Sequence, residues 1–264
     1  MLSFKTFNDK TLAGEKLTTV TCYDFWTAKL MKDLPIDMVL VGDSVAMVMH
    51  GFDSTIHATV EMIETHVAAV ARGLDGKIWL IADMPFGSFR SGKTAALEAA
   101  MKFLRAGAHS VKLEGIRGHE DVVEHLVQSG VPVMGHLGLT PQSHLTLGGH
   151  KVQGKAKDQA EMILEDALHL EKLGCFSIVL ECIPAKLASK IASELKIPVI
   201  GIGAGVEVDG QILVLQDLLG SNPDFKPKFL RPYAKISSVI REALSSYQKD
   251  VSAKTFPNAE ESYL

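Results

Sequence analysis

The sequence has 264 residues and lacks any apolar run long enough to span a lipid bilayer. Its first residues, MLSFKTFNDKTLAGEK, lack the charged-then-apolar order of a signal peptide. A basic excess is also missing, because 27 Lys and Arg residues stand against 31 Asp and Glu residues and give a formal net charge of −4. Since nucleic-acid-binding domains usually present a basic face, we expect neither a nucleic-acid nor a membrane partner.

Cysteine is scarce, with only Cys22, Cys175 and Cys182 in the whole chain. An odd number of cysteines without the spacing of a metal site predicts reduced thiols and a cytoplasmic protein. Hydrophobic residues make up 47% of the chain, which is enough for one large core. No break in composition marks a second domain, so we expect a single domain over 1–264 with a short polar C-terminal tail at about 251–264.

Short apolar runs alternate with amphipathic stretches along the chain. The strand candidates are residues 16–24, 38–43, 77–85, 110–115, 131–138, 176–184, 197–205 and 211–220. The helix candidates are residues 59–73, 93–106, 119–129, 157–173, 185–196 and 233–250. Continuously apolar strands are typical of parallel sheets that are buried on both faces. About eight such strands predict the α/β class and a (β/α)8 TIM barrel, with a doubly wound open sheet as the alternative.

Glycines add local detail to this pattern. Gly73, Gly107, Gly130 and Gly174 come where predicted helices end, and we expect them to act as C-terminal caps. The longest irregular stretch is 135–154, and a loop of this length in a compact domain is usually a functional lid or a disordered segment. Its glycines, threonines and low charge favour a lid.

Several polar residues share one feature: each lies at the end of a predicted apolar strand. These residues are Asp43, Ser44, Asp83, Lys112, Glu114, His136 and Glu181. Each has an ordinary structural explanation: the aspartates could cap helices, Lys112 and Glu114 could form an ion pair, and His136 could be a loop histidine. However, all carboxyl ends of the strands in a parallel barrel meet on one face, which carries the active site. We therefore expect these side chains to converge.

The residue types suggest a reaction. Asp43, Asp83 and Glu114 offer hard oxygen ligands, which suit Mg²⁺. A 2-oxo acid could bind such a metal through its carboxylate and keto oxygens, and the metal would then stabilise the enolate formed on loss of the α-proton. Lys112 would neutralise the anion. Glu181, in the apolar run VLECIP, would be the base, and its apolar surroundings should raise its proton affinity.

Two glycine-rich segments suggest nucleotide binding. GSFRSGKT, at 87–94, matches the phosphate-loop pattern, but DMPF separates its first glycine from the end of the strand. GIGAGV, at 201–206, resembles a dinucleotide motif with the third glycine one residue early. We interpret the first segment as a loop that precedes a helix. The second is interpreted as a tight βα turn at which backbone can approach a ligand.

Longer segments resemble the 3-methyl-2-oxobutanoate hydroxymethyltransferase (ketopantoate hydroxymethyltransferase) family. The similar segments include TCYDFWTAKL, MVLVGDSVAM, IADMPF, AGAHSVKLEG, GHLGLTPQS, GGHKVQG, VLECIP and IPVIGIGAG. The resemblance covers nearly the whole chain. It implies a (β/α)8 barrel of the phosphoenolpyruvate/pyruvate type, a homodecamer, Mg²⁺, and transfer of a hydroxymethyl group from 5,10-methylenetetrahydrofolate to 3-methyl-2-oxobutanoate. The product would be 2-dehydropantoate, in pantothenate biosynthesis.

The resemblance also implies residue roles. Asp43 and Asp83 would be metal ligands that also contact the substrate, and Glu114 would be a ligand directly or through water. Ser44 and Lys112 would bind the oxo acid, His136 would line the substrate site, and Glu181 would accept the proton. One departure lies nearby: DSVA places Ala46 where the family usually has glycine, which would matter if that position needs a positive φ. A lyase or mutase of the same barrel type, a nucleotide-binding protein and a non-catalytic binding barrel are the alternatives.

Overall fold

The structure is a computed structural model and describes residues 3–263. The chain divides into two compact units, Met1–Val214 and Leu215–Leu264. The eight strands all lie in the first unit. That the chain works as one domain remains a prediction.

The strands of the first unit form a closed barrel. They are β1 (Leu17–Thr21), β2 (Met38–Val41), β3 (Trp79–Asp83), β4 (Ser110–Glu114), β5 (Val133–Gly138), β6 (Ser177–Glu181), β7 (Val199–Ile202) and β8 (Gly210–Leu213). Each strand pairs in parallel with the next, and β8 pairs with β1. This closure confirms the predicted (β/α)8 barrel and rules out the open sheet. The long apolar runs were the correct signal, because most strand residues are buried from both sides.

The described part of the first unit also contains eight α-helices. They are α1 (Lys5–Leu12), α2 (Phe25–Met31), α3 (Val45–Val48), α4 (Val60–Leu74), α5 (Lys93–Arg105), α6 (Glu120–Gln128), α7 (Lys157–Lys172) and α8 (Ala185–Glu194). The sequence predicted α4 to α8 and missed the first three. These three span eight, seven and four residues, too few for a clear helical period to stand out.

Helix α1 packs at the amino ends of the barrel strands. Phe7 contacts Trp79, the first residue of β3, edge-on with ring centroids 5.8 Å apart. Phe4 lies 5.7 Å from Phe176, which directly precedes β6. The buried core includes Phe7, Leu17, Met38, Leu40, Trp79, Ile81, Met134, Phe176, Val179, Ile200 and Ile212. This end of the barrel is therefore filled with apolar side chains, and the polar residues belong to the opposite end.

The predicted glycine caps are confirmed at three of four positions. Gly107, Gly130 and Gly174 have φ values of 112°, 87° and 93°, which favour glycine. The prediction for Gly73 is wrong, because this residue lies inside α4. The helix is capped instead by Asp75, whose φ is 54°. A Cβ on Gly73 would approach the Ala28 Cβ to 2.5 Å. This glycine therefore permits the close approach of α2 to α4.

The second unit contains α9 (Leu215–Leu218), α10 (Ile236–Ala253) and a 3-10 turn at Ala259–Glu261. The predicted strand over 211–220 is wrong beyond Leu213, where β8 ends. The predicted helix over 233–250 is confirmed as α10, shifted by three residues. Within residues 3–263, none of the helices is both long enough and apolar enough to cross a membrane.

The closure of the barrel gives a testable prediction at Gly210. A Cβ there would lie 2.5 Å from the Leu17 backbone oxygen, whereas a Cβ on Gly135 would meet the Leu170 side chain at 2.7 Å. A side chain can rotate away, but the Leu17 carbonyl belongs to the β1 ladder. We expect Gly210→Ala to lower the free energy of unfolding by about 1–3 kcal/mol. Gly135→Ala should cost less, and urea unfolding midpoints would measure both. An equal or larger loss for Gly135→Ala would contradict this explanation of closure.

Candidate active site

The predicted polar residues lie together at the carboxyl ends of the strands, which we call the carboxyl rim. Asp83 and Glu181 are the last residues of β3 and β6, and Asp43 follows β2 by two residues. Lys112 and Glu114 lie two apart in β4, and His136 lies in β5. The side chains of Lys112, Asp83, Glu114 and His136 are each at most 5% exposed, and that of Glu181 is 17% exposed. The carboxyl rim thus concentrates ionisable groups whose side chains are almost completely shielded from solvent.

Asp43, Asp83 and Glu114 form a group that we call the carboxylate cluster. Asp83 Oδ1 lies 2.7 Å from Lys112 Nζ, and Asp83 Oδ2 accepts a hydrogen bond of 3.1 Å from the Asp43 backbone N–H. In the β3–β4 register, Asp83 is paired directly with Lys112. The ladder between these strands therefore places the lysine against the first carboxylate.

The electrostatics of the cluster reflect burial first and the mutual repulsion of its carboxylates second, although His136 and Lys112 outweigh the effect of burial at Glu114 and lower its pKa. Burial raises the pKa of Asp43 well above its usual range, and repulsion from Asp83 and Glu114 adds to this effect. Burial also raises the pKa of Asp83, with the Lys112 ammonium opposing it. For Lys112 itself, burial acts to lower the pKa, but the surrounding carboxylates outweigh it and raise the pKa. One lysine leaves the three carboxylates under-neutralised.

His136 connects this cluster to Glu181. Its Nε2 lies 3.2 Å from Glu181 Oε2, and its Nδ1 lies 3.5 Å from Glu114 Oε1. Burial and Lys112 act to lower the pKa of His136, but hydrogen bonds to Glu114 and Glu181 prevail and raise it to about 9. The imidazole therefore lies between the two carboxylates, and its Nδ1 is also 3.5 Å from Lys112 Nζ. The sequence pattern placed Glu181 apart from basic groups, and strand pairing brings this histidine to it.

Ser44 lies beside the cluster at the start of α3. Its Oγ is 2.7 Å from the hydroxyl of Tyr23, which is fully buried. Ala46 lies inside α3 and is buried, and the positive-φ residues other than glycine between residues 3 and 263 are Asp75, Cys182 and Lys254. The helical backbone at Ala46 therefore accommodates a side chain, and the expected difficulty with a missing glycine does not arise.

Gln142 is a buried member of the site that the residue-by-residue reasoning missed. It lies in a 3-10 turn, Pro141–Ser143, within the predicted lid at 135–154. The first four residues of that stretch belong to β5. Gln142 Nε2 donates a hydrogen bond of 2.9 Å to Asp43 Oδ2, and the Gln142 backbone N–H donates one of 2.9 Å to Glu114 Oε2. Gln142 is uncharged and far in sequence from these acidic residues, so only its place in the segment GHLGLTPQS could have indicated that it belongs to the site.

Mg²⁺ fits the donor set of the cluster. Across residues 3–263, no three His, Cys, Asp or Glu side chains are arranged as a complete set of metal ligands. Mg²⁺ is usually bound through one or two carboxylates, with water and substrate oxygens completing its coordination. Asp43 and Asp83 offer hard oxygen donors, and the Asp43 backbone N–H donates a hydrogen bond to Asp83 Oδ2. Burial, and then repulsion from Asp83 and Glu114, raises the pKa of Asp43, and a cation would relieve that repulsion.

The two glycine-rich segments have local structural roles. In the phosphate-loop match, Lys93 Nζ forms an exposed ion pair with Asp121 at 3.2 Å, and Phe89 is fully buried under the loop. A phosphate loop would direct its lysine and backbone N–H groups at one anion, and these contacts do not support that interpretation. The segment GIGAGV joins β7 to β8, with Gly203 and Gly205 at φ 62° and 88°. Residues 203–209 form a loop with no helix between β7 and β8, so the predicted tight βα turn is wrong.

Solved structures share this fold at low sequence identity. Phosphonopyruvate hydrolase superposes with a TM-score of 0.64 and 13% identity, over 99% of this chain and 93% of that one. 2,3-Dimethylmalate lyase, a member of the PEP mutase/isocitrate lyase superfamily, superposes with a TM-score of 0.63 and 14% identity, over 95% of this chain and 89% of that one. These matches confirm the (β/α)8 barrel fold.

Sequence comparison is more specific than the fold. The 3-methyl-2-oxobutanoate hydroxymethyltransferase of Bdellovibrio bacteriovorus is 52% identical over 257 residues, which is 97% of each chain. The enzyme of that name from Francisella tularensis is 46% identical, over 100% of this chain and 99% of its own. A sequence profile of the family described as ketopantoate hydroxymethyltransferase matches residues 2–259. The chain therefore belongs to the ketopantoate hydroxymethyltransferase family and is a transferase.

Proposed function

We propose that the protein transfers a hydroxymethyl group from 5,10-methylenetetrahydrofolate to 3-methyl-2-oxobutanoate and yields 2-dehydropantoate, a step of pantothenate biosynthesis. The observation that carries the proposal is the contact of Glu181 Oε2 with His136 Nε2 at 3.2 Å, beside a buried carboxylate–lysine cluster. This arrangement provides a base next to a site for an anionic substrate. The names of the relatives, at 46–52% identity over nearly the whole chain, support this choice of substrate.

The binding step depends on charge. Lys112 is the one ammonium among the carboxylates of the cluster, and it is the group that attracts the carboxylate of the oxo acid. Ser44 Oγ can donate its one hydrogen to the same acid while it accepts a hydrogen bond from the Tyr23 hydroxyl. Asp43 and Asp83 would bind Mg²⁺, and Glu114 would bind it either directly or through a water molecule. When bound, Mg²⁺ supplies Lewis-acid stabilisation of the negative charge that develops on the keto oxygen.

The chemical step begins at Glu181, whose carboxylate takes the proton from C3 of the substrate. The C–H electron pair then forms the C2–C3 double bond of an enolate, whose C3 bonds to the methylene carbon carried by folate. Both bonds from that carbon to the folate nitrogens N5 and N10 break, one as C3 bonds to it and the other as water adds and supplies the hydroxyl oxygen. The proton taken by Glu181 and one proton of that water pass to the two nitrogens, and tetrahydrofolate leaves. His136 orients the Glu181 carboxylate through Nε2, and the partial exposure of Glu181 leaves it open to substrate.

Further parts of the proposal rest on the family resemblance and the composition. They are assembly as a homodecamer, a cytoplasmic location, and the absence of nucleic-acid and membrane partners. Cys22, Cys175 and Cys182 are free, and burial raises the pKa of Cys175 to about 12. Such a thiol is a poor nucleophile at neutral pH, so we assign no step to it.

The role of Glu181 can be tested by proton exchange. In D₂O with Mg²⁺ and 3-methyl-2-oxobutanoate but without folate, we expect the wild type to exchange the C3 proton, followed by NMR. Glu181→Gln should slow exchange by about 10²–10⁴-fold, because the amide cannot accept the proton. The matched control is Glu98→Gln, on the exposed face of α5, which should exchange at the wild-type rate. If Glu181→Gln exchanges as fast as the wild type while His136→Asn does not, the histidine is the base instead.

The cation site can be tested by stability. Mg²⁺ should stabilise the wild type, by about 2.7 kcal/mol at a concentration of 100 Kd. Asp43→Asn should abolish most of this stabilisation, and without Mg²⁺ it should be at least as stable as the wild type because it removes a repelled carboxylate. Thermal unfolding with and without Mg²⁺ measures both effects, and Asp158→Asn, an exposed site on α7, is the control. An unchanged response of Asp43→Asn to Mg²⁺ would remove Asp43 from the ligand set.

A further inference from the structure

Gln142 contacts two members of the carboxylate cluster from a segment outside the barrel strands. Its side-chain Nε2 donates to Asp43 Oδ2 at 2.9 Å and to the Met84 carbonyl at 3.0 Å. Its backbone N–H donates to Glu114 Oε2 at 2.9 Å. The residue is 2% exposed. One glutamine therefore joins the loops after β2, β3 and β5 and fixes the direction of two carboxylates.

These contacts decide the orientation of the Gln142 amide. Both partners of Nε2 are oxygen acceptors, so a flipped amide would place Oε1 against a carboxylate and a carbonyl. With the amide oriented this way, Oε1 is buried and has no hydrogen-bond partner within the part of the chain that the structure describes. A buried acceptor without a partner is unfavourable. Because Oε1 and Nε2 share one carbon, this free acceptor lies at the edge of the carboxylate cluster.

We infer that Gln142 is a positioning residue for the cation site: it orients Asp43 and Glu114 for Mg²⁺ and offers Oε1 to a water molecule that enters with the ion. The inference rests on the proposed function, since it needs the cluster to bind a cation. Groups that orient metal ligands usually contribute about 10–100-fold to metal affinity. The unpaired Oε1 supports this positioning role, because it is a buried acceptor beside the carboxylate cluster that a water molecule entering with the ion would satisfy.

Gln153 provides a matched comparison. It is also a buried glutamine of the irregular segment after β5, at 7% exposed. Its side chain, however, bonds only locally: Nε2 donates to the Lys151 carbonyl at 2.9 Å, and Oε1 accepts from Gln159 Nε2 at 3.1 Å. Both glutamines support this segment, but only the side chain of Gln142 contacts a carboxylate of the cluster. The pair therefore separates an effect on the cation from an effect on the loop.

The test is calorimetric titration of the intact assembly with MgCl₂ alone, together with the thermal unfolding midpoint in the absence of Mg²⁺. Gln142→Met keeps the length of the side chain and removes both its donor and its acceptor. We expect it to raise the Kd for Mg²⁺ by about 10–100-fold. Gln153→Met should leave the Kd unchanged, even where it lowers the midpoint. Gln142→Asn, which keeps an amide but is one methylene shorter, should weaken Mg²⁺ binding too, and it carries the test if Gln142→Met does not fold.

The outcomes are distinct. Weaker Mg²⁺ binding by the Gln142 variants, with wild-type affinity in Gln153→Met, is the expected result. If the wild type binds Mg²⁺ and the Gln142 variants bind it equally well, the positioning role is overturned and the proposed function stands. An equal loss in Gln153→Met would also overturn it, because the effect would then belong to the loop. If the wild type binds no Mg²⁺, the proposed cation site fails and the inference fails with it.

Discussion

Lys112 and Asp83 approach each other to 2.7 Å in the carboxyl rim, where their side chains are 5% and 2% exposed. They are direct partners in the β3–β4 register, so the ladder of backbone hydrogen bonds determines the contact. A shift of that register by one residue would turn Lys112 to the other face of the strand and leave the carboxylates without their ammonium. Removal of one partner from a buried ion pair is strongly destabilising. The barrel register and the charge pair therefore support each other.

That pair does not neutralise the site. Asp43 and Glu114 remain, and each is connected to a neighbour outside its own strand: Asp43 to Gln142, and Glu114 to the Gln142 backbone and to His136. Such a group of buried acids would be unfavourable in a protein that used them only for structure, because apolar residues of similar volume would do as well or better. The excess charge is understandable if the rim receives a cation and a substrate. The 3-10 turn that carries Gln142 packs against two of these acids, because Gln142 donates hydrogen bonds to Asp43 and Glu114.

The sequence predicted the barrel and the rim for one physical reason. Apolar runs buried on both faces leave few places for charged residues, so Asp83 and Glu181 could only mark strand ends, and a parallel barrel gathers those ends. Helix α1, which packs at the amino ends of the strands, was missed because Phe4 and Phe7 give too short a pattern to predict a helix. The 211–220 strand was extended too far because an apolar run alone does not separate a strand from the turn of helix that follows it.

The contacts of His136 and Gln142 could not be derived in the same way. Both arise from pairing between segments far apart in the chain, and neither a lone histidine nor a neutral amide carries a periodic signal. Their positions nevertheless divide the site into two parts. Gln142 bonds to the carboxylates proposed to bind the cation, while His136 stands between Glu114 and the proposed base, Glu181. The proposed base and the carboxylate cluster thus lie on different strands, with one imidazole between them.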